Sequence, residues 1–182
     1  MVVFIVVRWL FDNDGSLVEK RALLACLPVI SFLQSLVLPS PLCDSVRVPA
    51  GNKVAFHVYA RGVQIYRWDG TTWVFVAPVA TLFADANYAA QVGIHYAGPT
   101  WESNSGSKVL ATRVAGCTPD PTAIPWLRLQ SVSTNGPGVF NSVTFIQRVN
   151  TKGGVAPAVP GASIGEAAEV PYTAEYYFYR EE

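Results

Sequence analysis

Val63-Gln64-Ile65-Tyr66-Arg67-Trp68, then Asp69-Gly70, then Thr71-Thr72-Trp73-Val74-Phe75-Val76: this stretch decides the fold. Both flanks alternate along the chain, as strands do. Asp-Gly between two such runs is the mark of a two-residue hairpin turn, whose central residues need positive φ. That turn sets a register, with Trp68 opposite Thr71, Tyr66 opposite Trp73 and Gln64 opposite Phe75. One face then carries Tyr66, Trp68, Trp73 and Phe75, and the other Val63, Ile65, Val74 and Val76. A hairpin apolar on both faces is either core on both sides, in a sandwich or a filled barrel, or lends one face to a ligand.

The same alternation extends outward. In residues 53–60, Val54, Phe56 and Val58 share one face, and His57 and Tyr59 the other. Strands are expected over 91–97, 108–114, 123–131, 139–149 and 170–180, with Pro125 placing the third of these at an edge or a bulge. The last one sets Tyr172, Ala174, Tyr176 and Phe178 against Thr173, Glu175, Tyr177 and Tyr179. Residues 77–90 read as irregular, with a short helix over Val79–Phe83, and 151–165 as a Gly/Pro/Ala-rich loop. The expectation is an all-β fold, a single antiparallel sandwich or barrel of eight to nine short strands, in residues 43–182.

The 182 residues suffice for one such domain and an N-terminal extension. Hydrophobic residues make up 51% and mean hydropathy is +0.27, as an apolar leader and a strand-rich body would give. Thirteen basic residues balance thirteen acidic ones without a basic cluster, which argues against a nucleic-acid partner. Lys20-Arg21 precedes the apolar stretch Ala22–Leu38, the order of a secretory signal peptide. Residues 1–16 then read as a gene-model extension and 17–42 as a signal peptide. The alternative is an uncleaved membrane anchor, since about 17 uncharged residues reach the lower edge of spanning length. Either way the domain is expected to be secreted, extracellular or periplasmic, touching a membrane only through that segment. Cys26 falls in the leader. Cys43 and Cys117 remain, an even number, and a disulfide between them is expected, the alternative being two unpaired small hydrophobes.

Chemistry-bearing residues concentrate in 92–107, where His95, Tyr96, Trp101 and Glu102 lie close in sequence. His95 and Glu102 could act as an acid–base pair, and with His57 they could form a two-histidine, one-carboxylate metal site. Tyr66, Trp68, Trp73, His95, Tyr96 and Trp101 could line an aromatic cleft for a small molecule or glycan. The simpler reading of both histidines is a half-buried strand residue bonded to backbone. Arg148 and Glu175 lie in apolar strands and are expected to pair, unless both face solvent. No Gly-x-Ser-x-Gly is present, and Lys152-Gly153-Gly154 is not a phosphate-binding loop. No cofactor is indicated. Three readings remain: a binding or cell-surface module, an extracellular enzyme using His95 and Glu102, and a structural envelope or matrix protein without a site.

Seven motifs in order carry a resemblance. They are Val48-Pro-Ala-Gly-Asn52, Val54-Ala-Phe-His57, Gly62-Val-Gln-Ile-Tyr66, His95-Tyr-Ala-Gly-Pro-Thr-Trp-Glu102, Ala123-Ile-Pro-Trp-Leu127, Ile146-Gln-Arg-Val-Asn-Thr-Lys-Gly-Gly154 and Pro171-Tyr-Thr-Ala-Glu-Tyr-Tyr-Phe-Tyr179. Over residues 46–180 the chain resembles an exported family of bacteria and fungi, domain of unknown function 3455. The resemblance implies export and one β-rich domain, and it brings no catalytic residues. Members often carry an acidic residue before the Gly-Ser that here follows Ser105.

Overall fold

The computed structural model describes residues 36–182, together with the pairs 10–11 and 17–18. The expected gene-model extension and most of the expected signal or anchor segment therefore lie outside the described residues. The chain divides into two units, residues 1–36 and 37–182. In the first, Leu10–Phe11 pairs antiparallel with Leu17–Val18. Among the described residues no helix is long and apolar enough to cross a membrane.

The second unit is built from eight strands: β1 (Asn52–Trp68), β2 (Trp73–Phe83), β3 (Gln91–Tyr96), β4 (Thr100–Ser103), β5 (Lys108–Cys117), β6 (Trp126–Asn135), β7 (Phe145–Gly153) and β8 (Ala167–Glu181). Each pairs antiparallel with the next, and β8 pairs back onto β1, so the sheet closes into an up-and-down barrel. The sequence left sandwich or barrel open, and the β8–β1 ladder of fifteen residue pairs decides it. Eight strands leave an interior that side chains can just fill, or that can hold one small ligand.

The period-2 reading of the faces holds from Phe56 to Tyr66 and from Tyr172 to Phe178, but a register shift after Phe178 sets Val54, expected to share the face of Phe56, opposite outward-facing Tyr179. Val58, Ala60, Gln64 and Tyr66 of β1 are buried inside, and so are Tyr172, Ala174, Tyr176 and Phe178 of β8. The hairpin register does not hold. Trp68 pairs with Trp73 and Tyr66 with Phe75, around a four-residue loop, Asp69 to Thr72. The Asp69 carboxylate accepts the N–H groups of Thr71 (2.7 Å) and Thr72 (2.8 Å), while the Asp69 N–H donates to the Thr72 carbonyl (3.1 Å). This side-chain capture widens the turn, and only Gly70 takes positive φ, at 103°. Near the turn this slip of two residues keeps Tyr66, Trp68, Trp73 and Phe75 on one face, whereas a slip of one would have inverted them. Past a register shift between Ile65 and Tyr66, Gln64 pairs with Pro78 and not with Phe75.

Three other boundaries differ. Val79–Phe83 is strand, not helix, because β2 runs on through Pro78. Pro78 is tolerated because β3 pairs with β2 only from Ala80 onward, so the missing donor faces no neighbour there. Pro125 lies just before β6 and does not interrupt it. Residues 139–144 are loop, not strand, and drop Phe140 and Val143 into the core.

Residues 37–51 form a strap on the outside of the barrel. Its short 3-10 helical turn, Asp44–Val46, buries Val46 completely. The Gln147 side-chain amide, pointing outward from β7, donates to the Val46 carbonyl at 2.6 Å, and the Arg128 guanidinium donates to the Arg47 carbonyl. The expected disulfide, Cys43–Cys117, pins the strap to the end of β5, with Cα atoms 5.3 Å apart.

Candidate functional site

One part of the barrel interior is filled by aromatic rings. Phe178 stacks on Phe56 with ring centres 4.6 Å apart, and Phe140 leans on both at 5.0 and 5.6 Å. Trp101 stands on Phe178 and Tyr176 in edge contacts, and His95 stacks flat on Trp101 at 4.3 Å. Such offset and edge-to-face pairs add to the burial of the rings themselves.

Beyond this floor the interior is open, with a cavity of about 690 Å³. Its access follows from strand lengths. β3 and β4 are short, six and four residues. They pair with only Ala80–Phe83 of β2 and Lys108–Leu110 of β5. Above them the facing edges of β2 and β5 are unpaired, which leaves a window in the wall. Phe75, Val76, Pro78, Pro99 and Arg113 lie around it, and Phe75 and Val76 are each half exposed. Leu110, Ile124, Leu127 and Leu129 line the apolar interior; Gln64, Tyr66, His95, Trp101, Arg148 and Tyr176 supply polar atoms, as do Thr112 and Arg113.

The β3–β4 register pairs His95 with Trp101 and Ile94 with Glu102. His95 and Trp101 therefore point into the barrel, 2% and 1% exposed, while Tyr96 and Glu102 sit on its outer surface. The expected His95–Glu102 acid–base pair is thus split by the barrel wall. Glu102 accepts from Tyr96 (2.9 Å) and lies 3.1 Å from the Lys108 ammonium, which, with the tyrosine, holds its carboxyl below the usual range. Burial, aided by the charge of Arg148, takes His95 down to about 3, so its ring is neutral at physiological pH. Neutral imidazole donates from Nδ1 to the Thr100 carbonyl at 2.8 Å.

The metal triad is not assembled either: His57 is outside on β1 and His95 inside. Among the described residues no group of three His, Cys, Asp or Glu side chains converges. Of the six residues expected to line a cleft, Tyr66, His95 and Trp101 line the cavity. Tyr96 is outside. Trp68 and Trp73 instead grip the β7–β8 loop: the Trp73 indole donates to the Val159 carbonyl at 2.9 Å, and Gly161 lies so close to Trp68 that a Cβ there would meet its ring at 2.6 Å.

The family described as "Protein of unknown function (DUF3455)" matches residues 49–180, which takes in the barrel from the start of β1 almost to the end of β8. The chain belongs to the DUF3455 family. No curated protein and no solved structure matches it. This DUF3455 domain is all-β with a buried aromatic cluster; six of its seven motifs fall on the barrel strands and the turns between them, and the first leads from the strap into β1. Gln64, Arg113, Arg148 and Tyr176, none of them expected as site residues, add to the polar lining of the cavity. Parity was the signal: Gln64 shares its face with Tyr66, and Arg148 shares its face with Ile146.

Arg148 is not paired with Glu175, as expected from sequence. Arg148 lies opposite Tyr176, which points inward, so its neighbour Glu175 must point out. There Glu175 accepts from His57 Nε2 (3.0 Å), Asn150 (3.0 Å) and the Tyr177 hydroxyl (3.3 Å), beneath a His57–Tyr177 stack at 4.3 Å. The His57 bond, chiefly, depresses the Glu175 carboxyl below its usual range despite partial burial. A carboxyl depressed on folding stabilises above its unfolded value, near 4.5, and loses that contribution as pH falls through the folded value. Glu175→Gln is therefore expected to destabilise the domain by about 1 kcal/mol at pH 7. The deficit should shrink as pH drops below 4.5, measured by urea unfolding at each pH. A deficit independent of pH would show that the charge of Glu175 plays no part.

Proposed function

We propose that this DUF3455 domain is a binding module that holds one small, predominantly apolar molecule inside its barrel, outside the cytoplasm. The observation that carries the reading is the window-accessed cavity of about 690 Å³, which lies in the usual range for small-ligand sites. Its walls are mostly aliphatic and aromatic, with a few polar groups on one part. A glycan fits less well, because its many hydroxyls would lose water without finding partners. Two observations weigh against the enzyme reading built on His95 and Glu102: the two side chains lie on opposite sides of the wall, and His95 is neutral. The disulfide supports work in an oxidising compartment, where such bonds persist.

Titration with Nile red, a neutral polarity-sensitive dye, tests this. Saturable one-to-one binding with a blue-shifted emission is expected. Ala111 is 2% exposed and lines the cavity, so Ala111→Phe fills space there. It should weaken the dye by about 10-fold or more while the melting temperature stays close to wild type. Leu129→Phe, from β6, is the second filling variant should the first misfold. Absence of saturable dye binding to the wild-type domain would overturn the reading.

A further inference from the structure

The polar atoms around the cavity share a bias. Trp101 Nε1 is buried with no hydrogen-bond partner among the described residues, and the buried Gln64 Nε2 and Tyr176 hydroxyl approach only the Tyr172 hydroxyl and, for Tyr176, Arg148, without good hydrogen-bond geometry. The first two can only donate, and the third can donate. Arg148 lies between Leu127 of β6 and Tyr176 of β8 in the ladder, and all three line the cavity. Its Nε and Nη2 donate to the Pro125 carbonyl at 3.2 and 2.9 Å. That leaves the Nη1–Nη2 edge of the guanidinium with no carboxylate and only the neighbouring Tyr176 hydroxyl near it among the described residues. No described carboxylate pairs with Arg148, and no aspartate or glutamate lines the cavity. The charge reaches the other polar groups: burial pushes the Tyr66 and Tyr176 phenols up, and Arg148 opposes it in both.

A part-buried cation without a counter-ion, in a cavity whose other polar groups include buried donors, is costly by itself. One occupant relieves all of it: a planar anion with two acceptor oxygens. We infer that the ligand of this cavity is a carboxylate, its head seated at Arg148 among Gln64, Trp101 and Tyr176, and its apolar body lying along Leu110 and Leu129 toward the window. The guanidinium edge matches a carboxylate in the two-bond geometry that makes such pairs strong. His95, held neutral, adds no charge; of the two cations that line the cavity, Arg113 stands at the window and Arg148 beside Tyr176, so the seat for the anion is assigned to Arg148. This rests on the cavity reading above and names the chemical class it takes.

Calorimetric titration of 2-naphthoate and methyl 2-naphthoate, at pH 7, separates the two claims. The ester is the more apolar of the pair, so burial alone favours it. The acid is nonetheless expected to bind about 10-fold or more tighter. Arg148→Gln should abolish that preference, weakening the acid by about 10-fold more than the ester. Gln64→Leu should raise the melting temperature, because it removes a buried unpaired donor, and still weaken the acid. A merely structural role for Gln64 would move both readouts the same way, and this variant decides the matter if Arg148→Gln fails to fold. Equal affinity for acid and ester in a domain that binds Nile red would overturn the carboxylate and leave the cavity reading standing. Failure of the wild-type domain to bind Nile red would remove both.

Discussion

Substituting Trp101 by alanine is expected to lower the unfolding free energy by about 4 kcal/mol, the largest effect of any single side chain in the barrel. The indole is 1% exposed and touches His95 on one side and Tyr176 and Phe178 on the other. Truncating it removes the central ring of the floor, and the closed wall cannot collapse inward to fill the space. Trp101→Phe should cost far less. It keeps most of the aromatic area and also removes the buried indole N–H, which has no partner among the described residues. Urea denaturation of the three proteins, with equal slopes, checks the comparison. A loss under about 1 kcal/mol for the alanine variant would mean that the rings do not pack as described.

Removing the disulfide is the second large effect. Cys43 and Cys117 are 74 residues apart in sequence, so the crosslink closes a long loop in the unfolded chain. In the chain-entropy account, a loop of this length corresponds to about 4 kcal/mol. The double Cys→Ser variant should lose about that much. It should also release the strap, freeing the Gln147 amide that now meets the Val46 carbonyl. Wild-type protein under reducing conditions should unfold like the variant. Coincident melting curves for oxidised and reduced wild type would show that the crosslink contributes nothing.

Much of the fold was legible because a strand's period is an integer. Tyr172, Ala174, Tyr176 and Phe178 alternate so regularly that their common burial follows from counting. The β1–β2 turn shows where counting stops. Asp69-Gly70 marked the bend correctly, but the Asp69 carboxylate then captured two amides of its own loop and moved the pairing by two residues. A local side-chain bond of this kind competes with the backbone turn, and composition does not reveal the winner. The strand through Pro78 was hidden for another reason. Proline reads as a break until the neighbouring strand is known to stop short of it.

The site was legible in part. Tyr66, His95 and Trp101 were singled out from sequence and do line the cavity. Glu102 was grouped with His95 because closeness along a strand was taken for closeness in space. The reverse turn at Gly98-Pro99 pairs residue 95 with 101, so 102 must face the other way. Arg148 was visible as a charge in an apolar strand, but its partner depended on the β7–β8 register, which no local pattern encodes. The window needed still more, since it arises from the difference in length between β3–β4 and their neighbours.

The fifteen-pair ladder between β1 and β8 joins the two ends of the domain's sequence. The ring can therefore be completed only after the last strand is in hand. A chain emerging from the ribosome, or threading amino-end first through a narrow pore, has every other strand before it has the one that locks the circle. A copy that lacks the last strand would leave the facing edges of β1 and β7 bare, the kind of open border along which polypeptides adhere to one another.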